Sequence, residues 1–289
     1  MWDQYLIPKS IQEALQILQS HEGEARIIAG GTDLVPELKG GARKVKCLVD
    51  ISEIDLLKKI QVDDGLIKIG AGVTHAVVAS SDLIREQAAV LAEAASAVGS
   101  PLIRNQGTIA GNVINAQPAA DTAVALFALD AQVEILSDKG VRVVPVENVY
   151  QGIGVSRINS TSEIVTALYF KGLGSNQGSS FFRLAQRKAL ALPMLNVAAV
   201  LSIQDGSFGE ARIVIAPVAP LPFRSRKAEA ALKHAAVAPA SIDKAAEIAA
   251  SEAQPRDSAL RGSAEYRREM VKVLLRRALG RATERAGKR

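Results

Sequence analysis

The stretch Ala25-Arg26-Ile27-Ile28-Ala29-Gly30-Gly31-Thr32-Asp33-Leu34-Val35-Pro36-Glu37-Leu38-Lys39 decides how this chain is read. Its first five residues make a short apolar strand, two glycines break it, and a helix begins right after them. Residues Lys46 to Ile51 supply a second strand, so the region reads as a small βαβ-like subdomain. Upstream, Pro8 to Ser20 reads as a helix in which Ser10 caps, Glu13 reaches back, and Ile11, Leu15 and Leu18 form one apolar stripe. A strand that ends in two glycines lets the backbone come close to a ligand and present several N–H donors. The helix starting there adds the positive end of its dipole, which favours phosphate. Thr32 adds a hydroxyl donor. Asp33 has the wrong charge for phosphate, so its expected role is to cap the helix or hold a sugar hydroxyl.

Outward from this unit, Leu66 to Ile69 alternates as a strand, Gly70-Ala71-Gly72 turns, and Thr74 can cap a helix that His75 enters. Leu83 to Val98 reads as one alanine-rich helix, stopped at Gly99-Ser100-Pro101. The segment from Ile103 to Ala131 is rich in turn formers and side-chain amides. It contains a second glycine-centred turn, Gly107-Thr108-Ile109-Ala110-Gly111-Asn112. Two such turns could hold the two phosphates of a dinucleotide, and the residues by themselves take the reading as far as a phosphorylated cofactor. Plainer roles stay open beside it: Gly30-Gly31 as a tight turn, Asn112 as a turn former, and Asp121 as the cap of the helix Thr122 to Leu129. Strands at Ala131–Leu136 and Val141–Val144 read as a hairpin around Asp138-Lys139-Gly140. Composition shifts at Lys171 to Gly178, a linker pattern. Beyond it come strands near Phe181–Leu184, Val197–Ile203 and Ala211–Ala216, and helices at Ser225–His234, Ile242–Ser251 and Glu265–Leu279. The mixture is α+β, without the strict βα repeat of a doubly wound sheet.

Composition narrows the function. Hydrophobic residues make up 48% of the 289 and charged residues 22%, the balance of a globular chain with a proper core. No stretch approaches the roughly 20 apolar residues of a membrane span, and Met1 to Tyr5 do not begin a signal peptide. The expected location is cytoplasmic. Cys47 is the single cysteine, which excludes an internal disulfide and any cysteine-ligated iron–sulfur cluster or zinc site built by this chain alone. Of the net charge of +5, much sits between Arg276 and Arg289. With no aromatics in that tail, it reads as a solvated helix end or a docking surface for an acidic partner rather than a nucleic-acid site. There is no GxGxxG fingerprint, Walker loop, HExxH or GxSxG. His21, His75 and His234 are scattered without metal-ligand spacing and read as structural or solvated. No catalytic residue and no metal site is expected.

Ala-Gly-Gly-Thr-Asp-Leu at 29–34 and Thr-Ile-Ala-Gly-Asn at 108–112 resemble the paired FAD motifs of the xanthine dehydrogenase and carbon monoxide dehydrogenase family of molybdenum hydroxylases. Gln117-Pro118-Ala119-Ala120-Asp121 resembles that family's Ser-Pro-x-x-Asp segment. Gln186-Arg187-Lys188-Ala189-Leu190 and Arg261-Gly262-Ser263-Ala264-Glu265-Tyr266-Arg267 resemble its C-terminal signatures. The resemblance runs along nearly the whole chain. It implies an α+β fold: a two-subdomain FAD-binding domain of the PCMH type over 1–174 (subdomains about 1–53 and 54–174), then a C-terminal flavoprotein domain over 175–289 with a small antiparallel sheet and helices. It also implies roles. Ala29, Gly30, Gly31, Thr32, Asp33, Leu34 and Val35, with Gly107, Thr108, Ala110, Gly111 and Asn112, would wrap the pyrophosphate and neighbouring sugar. Asp121, beside Ala120, would accept a hydrogen bond from a ribose or ribityl hydroxyl. Ile164 and Val165 would line the adenine, Arg183 or Lys188 would lie near the electron-rich end of the flavin, and Leu192 would sit against the ring face. The chain departs from the family in having Ala110 where a glycine is usual, a source of strain if that position needs a positive φ. It also has Gln117 in place of serine.

The implied protein is an FAD-binding electron-transfer subunit, the medium chain of a multi-subunit oxidoreductase. A large molybdopterin-binding subunit and a small subunit with [2Fe-2S] clusters would be its partners, in a dimer of heterotrimers (a heterohexamer). FAD would be noncovalent, because neither motif contains a histidine or cysteine for attachment. Two rivals are a stand-alone FAD-dependent oxidase or dehydrogenase and a non-enzymatic scaffold whose glycine turns are only structural. The hydroxylated substrate and the final electron acceptor (NAD, oxygen, a quinone or a cytochrome) lie beyond what this chain encodes.

Overall fold

A computed structural model describes residues 2–187 and 189–287, which form two compact units: 2–77 with 101–116 and 131–171, and 78–100 with 117–130, 172–187 and 189–287. Elements are numbered along the chain.

The first unit contains two sheets. One is parallel and three-stranded, in the order β1 (Gln4–Leu6), β3 (Cys47–Asp50), β2 (Ala25–Ile28). The helix α1 (Ile11–Ser20) packs on it, capped as its sequence demands: the Ser10 hydroxyl accepts from the Glu13 amide at 3.1 Å, and the Glu13 carboxylate accepts from the Lys9 amide at 2.7 Å. Ala14, Leu18, Ala25, Cys47 and Val49 share one core. The strand β2 leads through Gly30-Gly31 into α2 (Leu34–Lys39), and β2 and β3 pair in parallel, so the βαβ expectation holds.

The other sheet has five antiparallel strands, β4 (Ile60–Asp63), β5 (Leu66–Gly70), β10 (Ile164–Lys171), β6 (Gln132–Ser137) and β7 (Gly140–Pro145), in that order. The expected hairpin is β6–β7. A two-stranded ribbon, β8 (Tyr150–Gly152) with β9 (Val155–Ser156), completes the strands of this unit. Three short helices begin here: α3 (His75–Ser80), α6 (Pro101–Gln106) and α7 (Ile109–Ile114). The last two correct the sequence reading, which describes 104–115 as a run of turn formers and side-chain amides.

The second unit is built on a four-stranded antiparallel sheet: β11 (Gln177–Ala185), β12 (Pro193–Gln204), β13 (Ser207–Ala216) and β14 (Phe223–Arg224). Gln177 and Gly178 thus belong to a strand, and the linker shrinks to 172–176. Side chains alternate between two covered faces. Leu195, Val197, Ala199 and Leu201 of β12, with Ile213 and Ile215 of β13, pack against α9 (Arg226–Leu232), α10 (Pro239–Glu252) and α11 (Ala264–Ala286). The opposite face receives α5 (Ala89–Ala97) and α8 (Asp121–Ala128). The Ser179 hydroxyl there accepts from the Val90 amide, and Glu93 accepts from the Phe181 amide. The expected single helix 83–98 is two, α4 (Asp82–Gln87) and α5, because Ala88 leaves the helical region at φ −154°, ψ 52°.

The strand β11 meets α11 so closely that a Cβ on Gly178 would collide with the Ala282 carbonyl oxygen and stand 2.8 Å from the Ala286 nitrogen. Gly178→Val forces those backbones apart, an overpacking cost of about 3 kcal/mol or more. The expected result is a fall of about 6–10 °C in the Tm of the second unit, followed by calorimetry. Unchanged melting would refute this packing.

Candidate cofactor site

In the first unit the two glycine motifs are in direct backbone contact. A Cβ on Gly30 would collide with the carbonyl group of Gln106 and stand 2.9 Å from Gly107 Cα. Only glycine permits this approach. Gly31 takes φ +66°, in the left-handed region, and turns the chain into α2. Facing it, Thr74 and Thr108 form an isolated bridge, with the His75 amide donating to Gly107 O and the Ile109 amide to Val73 O, both at 3.0 Å.

The second motif is a helix start rather than a turn. Thr108 caps α7, its hydroxyl accepting from the Gly111 amide at 3.1 Å. Ala110 is therefore helical and buried, absent from the residues with positive φ, and the strain expected from its replacement of glycine does not arise. Asp33 stands at the start of α2 without a side-chain capping bond, and it is exposed, so the capping role falls away.

The hydrogen-bond accounting of this region identifies its chemistry. Among the described residues, the amides of Gly30, Gly31, Thr32, Asp33 and Leu34 donate to no protein acceptor, and neither do those of Thr108 and Ala110. Thr108 and Ala110 are only 6% and 2% exposed. An unmet buried amide costs about 1–3 kcal/mol, a cost that falls on these two; with the half-buried to exposed run 30–34 beside them, they form a donor cluster suited to an anion with several oxygens. A diphosphate fits that donor set. Ala29 and Val35 flank the run, half-buried, and Asn112 follows the cap on α7.

Ile164 and Val165 of β10 are 1% and 4% exposed. Ile164 belongs to the core that includes Ala14 and Leu18, so its side chain serves packing.

In the second unit, Asp121 is the first residue of α8, after Ala120 at the cap position. Reading it as only a cap is corrected: it caps nothing and is pressed on the sheet, 6% exposed. Arg183 and Asn196 are directly opposed across β11 and β12 and share the face beneath it. Asn196 Nδ2 donates to Asp121 Oδ1 at 2.9 Å and to Ala119 O at 3.3 Å. Arg183 Nε lies 3.2 Å from the same carboxylate oxygen. Arg183 also donates to Ala97 O at 3.2 Å and to Ala191 O. Burial drives the Asp121 pKa up from 3.8 to about 7, with Arg183 and then Asn196 opposing the rise. Leu192 lies on the loop before β12, 60% exposed. Lys188 falls outside the described residues. Sequence reasoning missed Asn196; its only signal was one amide inside the apolar run Leu195 to Leu201.

Residues 2–170 match the FAD binding domain in molybdopterin dehydrogenase, and residues 180–282 match the CO dehydrogenase flavoprotein C-terminal domain. The chain belongs to the FAD-binding subunits of the molybdenum hydroxylases. As a member of this family it binds FAD and is one subunit of a multi-subunit oxidoreductase. It is 32% identical to the carbon monoxide dehydrogenase medium chain of Afipia carboxidovorans over 282 residues, covering 98% of this chain and 97% of that one. It is 31% identical to the alpha subunit of the 6-hydroxypseudooxynicotine dehydrogenase complex of Paenarthrobacter nicotinovorans over 283 residues, covering 98% and 95%. The solved CO dehydrogenase from Oligotropha carboxidovorans contains a chain with a TM-score of 0.91 at 30% identity, covering 99% of this chain and 98% of that one. The fold and FAD expected from the paired motifs therefore hold, and the stand-alone oxidase and the scaffold are set aside.

The raised Asp121 pKa fixes a pH dependence for the cofactor-free chain. The folded state holds a proton there that the unfolded state releases near pH 4, so stability falls as pH rises from about 4 through about 7. Asp121→Asn removes this component. The difference between variant and wild-type urea midpoints should favour the variant increasingly across that window and level off above it; a pH-independent difference would contradict the assignment.

Proposed function

We propose that the backbone cradle of residues 30–34 in the first unit, with Thr108 and Ala110, takes the diphosphate of FAD; for the second unit, taken by itself, the reading is that Asp121 accepts a hydrogen bond from a cofactor hydroxyl. The observation that carries this is the run of five consecutive amides without a protein acceptor, set against two more at the start of α7. Gly107 and Gly111 keep side chains out of the cradle, and Thr32 adds its hydroxyl. Asp121 is suited to a hydroxyl rather than a phosphate because it is an acceptor. Asn196 and Arg183 hold it in place and oppose its protonation. Arg183 acts through Asp121 and the Ala191 carbonyl, while Leu192, exposed on its loop, is free to lie against an aromatic ring.

Bound FAD supplies the redox chemistry, taking electrons released by a molybdenum centre and passing them to an external acceptor. The chain's task is to bind the cofactor, fix its orientation and exclude water from its phosphates. Cys47 is the only cysteine and is fully buried, which supports placing [2Fe-2S] clusters on a small partner subunit and molybdopterin on a large one. Assembly as a dimer of heterotrimers and residence in the cytoplasm complete the reading. Among the described residues no helix is long and apolar enough to cross a membrane.

The test is the visible spectrum of the purified chain before and after adding FAD, with chromatography of the flavin released by denaturation. Saturable binding of one FAD is expected. Gly31→Val, which places a branched side chain at φ +66° and within 3.0 Å of Ile28 Cδ1, should reduce it by at least about tenfold. Gly111→Val, whose Cβ would stand 3.0 Å from the capping Thr108 hydroxyl, should weaken it less. Binding unaffected by either would separate the cradle from the cofactor.

A further inference from the structure

Sequence reasoning set His75 aside as structural or solvated, yet the fold brings its ring to the cradle. It enters α3 directly after the Thr74–Thr108 bridge, its amide fixed on Gly107 O at 3.0 Å. A Cβ placed on Gly107 would stand 3.3 Å from Thr32 Oγ1 and 3.4 Å from His75 Cδ2. The imidazole edge bearing Cδ2 therefore lines the same small space as the Thr32 hydroxyl. Nε2 is the atom bonded to Cδ2 on that edge.

The ring's two nitrogens differ. Nδ1 is sealed from solvent and has no hydrogen-bond partner, although the residue is only 2% exposed. Nε2 is not among the sealed atoms, and no protein group bonds to it. A buried donor without an acceptor is rarer and costlier than a buried acceptor without a donor. The proton of the neutral ring therefore belongs on Nε2, leaving Nδ1 as the bare acceptor. Burial, and then the Arg104 charge, hold the pKa down at about 4, so the ring is neutral throughout the physiological range.

We propose that His75, as its Nε2–H tautomer, is a further FAD-binding residue that donates a hydrogen bond to the diphosphate held by the glycine cradle. The inference rests on the cradle taking the diphosphate of FAD. It adds the one ring donor to a site otherwise made of backbone amides and the Thr32 hydroxyl. A neutral donor suits the position: it recognises a phosphate oxygen without placing a buried cation next to the half-buried Arg104.

The test uses the full chain, with FAD affinity followed by flavin fluorescence and ADP affinity by displacement of FAD. His75→Leu keeps the bulk and removes the donor; His75→Gln keeps an N–H near the Nε2 position. The Leu variant should bind both FAD and ADP at least about tenfold more weakly, and the Gln variant should recover most of that loss. Nitrogen-resolved NMR of the wild-type ring should show the Nε2–H form, with Nε2–H shifting when FAD is added. His75→Leu binding FAD within about twofold of wild type would overturn the proposal while leaving the cradle intact. So would an Nδ1–H tautomer, or a Gln variant as weak as Leu with both melting at lower temperature, the mark of a packing role. A wild-type chain that binds neither FAD nor ADP overturns the cradle reading, and this inference with it.

Discussion

The close approach of Gly30 to the Gln106–Gly107 backbone is the constraint on which the cradle depends. Two segments more than 70 positions apart in the chain meet there with no side chain between them. Strand β2 is fixed by its parallel pairing with β3, and α7 by its Thr108 cap and the bridge to Thr74. With both ends anchored, the amides between them cannot turn away to find other acceptors. The same anchoring leaves those amides without a protein partner, and for the buried Thr108 and Ala110 at a free-energy cost that folding alone does not recover. Oxygens of an anionic ligand can recover it.

The second unit handles its polar group differently. Asp121 is buried on a covered sheet face, and a lone carboxylate there would be driven to the neutral form. Arg183 and Asn196, paired across β11 and β12, supply one charge and one amide hydrogen beneath it. Their attraction does not outweigh the loss of water, and the pKa stays raised. A hydrogen bond donated by a ligand hydroxyl would stabilise the ionised form further, so binding and ionisation of Asp121 favour one another. Two-sided burial of the sheet makes this possible: α8 covers the face on which Asp121 lies, while α9, α10 and α11 cover the other.

What could be read from the sequence followed local rules. The Ser10 cap, the turn at Gly30-Gly31 and the 132–145 hairpin each carry their signal within a few residues, and each is present. The paired motifs fixed the family and the cofactor. The failures came where tertiary contacts overrule local preference. Gly107, Asn105 and Asn112 look like turn formers, but Thr108 caps a real helix once Ile109 is buried and tied to Val73. Ile164 to Lys171 went unassigned because a strand central in its sheet lacks clean alternation. Ala88 has the composition of a helix interior and the conformation of a break. His75 and Asn196 are single polar residues whose neighbours in space lie far away in sequence, so no spacing could have revealed them.

A cradle of backbone donors also explains why its sequence requirements are few. An amide hydrogen is offered by every residue except proline, so most positions in 30–34 and 108–111 are constrained by shape rather than by chemical identity. Gly30 must lack a Cβ, Gly31 must reach positive φ, and Thr108 must cap. Ala110 needs only to be small and helical, which alanine satisfies at least as well as glycine would. The site can therefore keep its donors while most of the sequence around it changes. About 30% identity spread over 95% or more of both chains, with the fold retained at a TM-score of 0.91, is what such a division of labour permits: backbone donors ask little of sequence identity, and only a few side chains at the site are held to a chemical type.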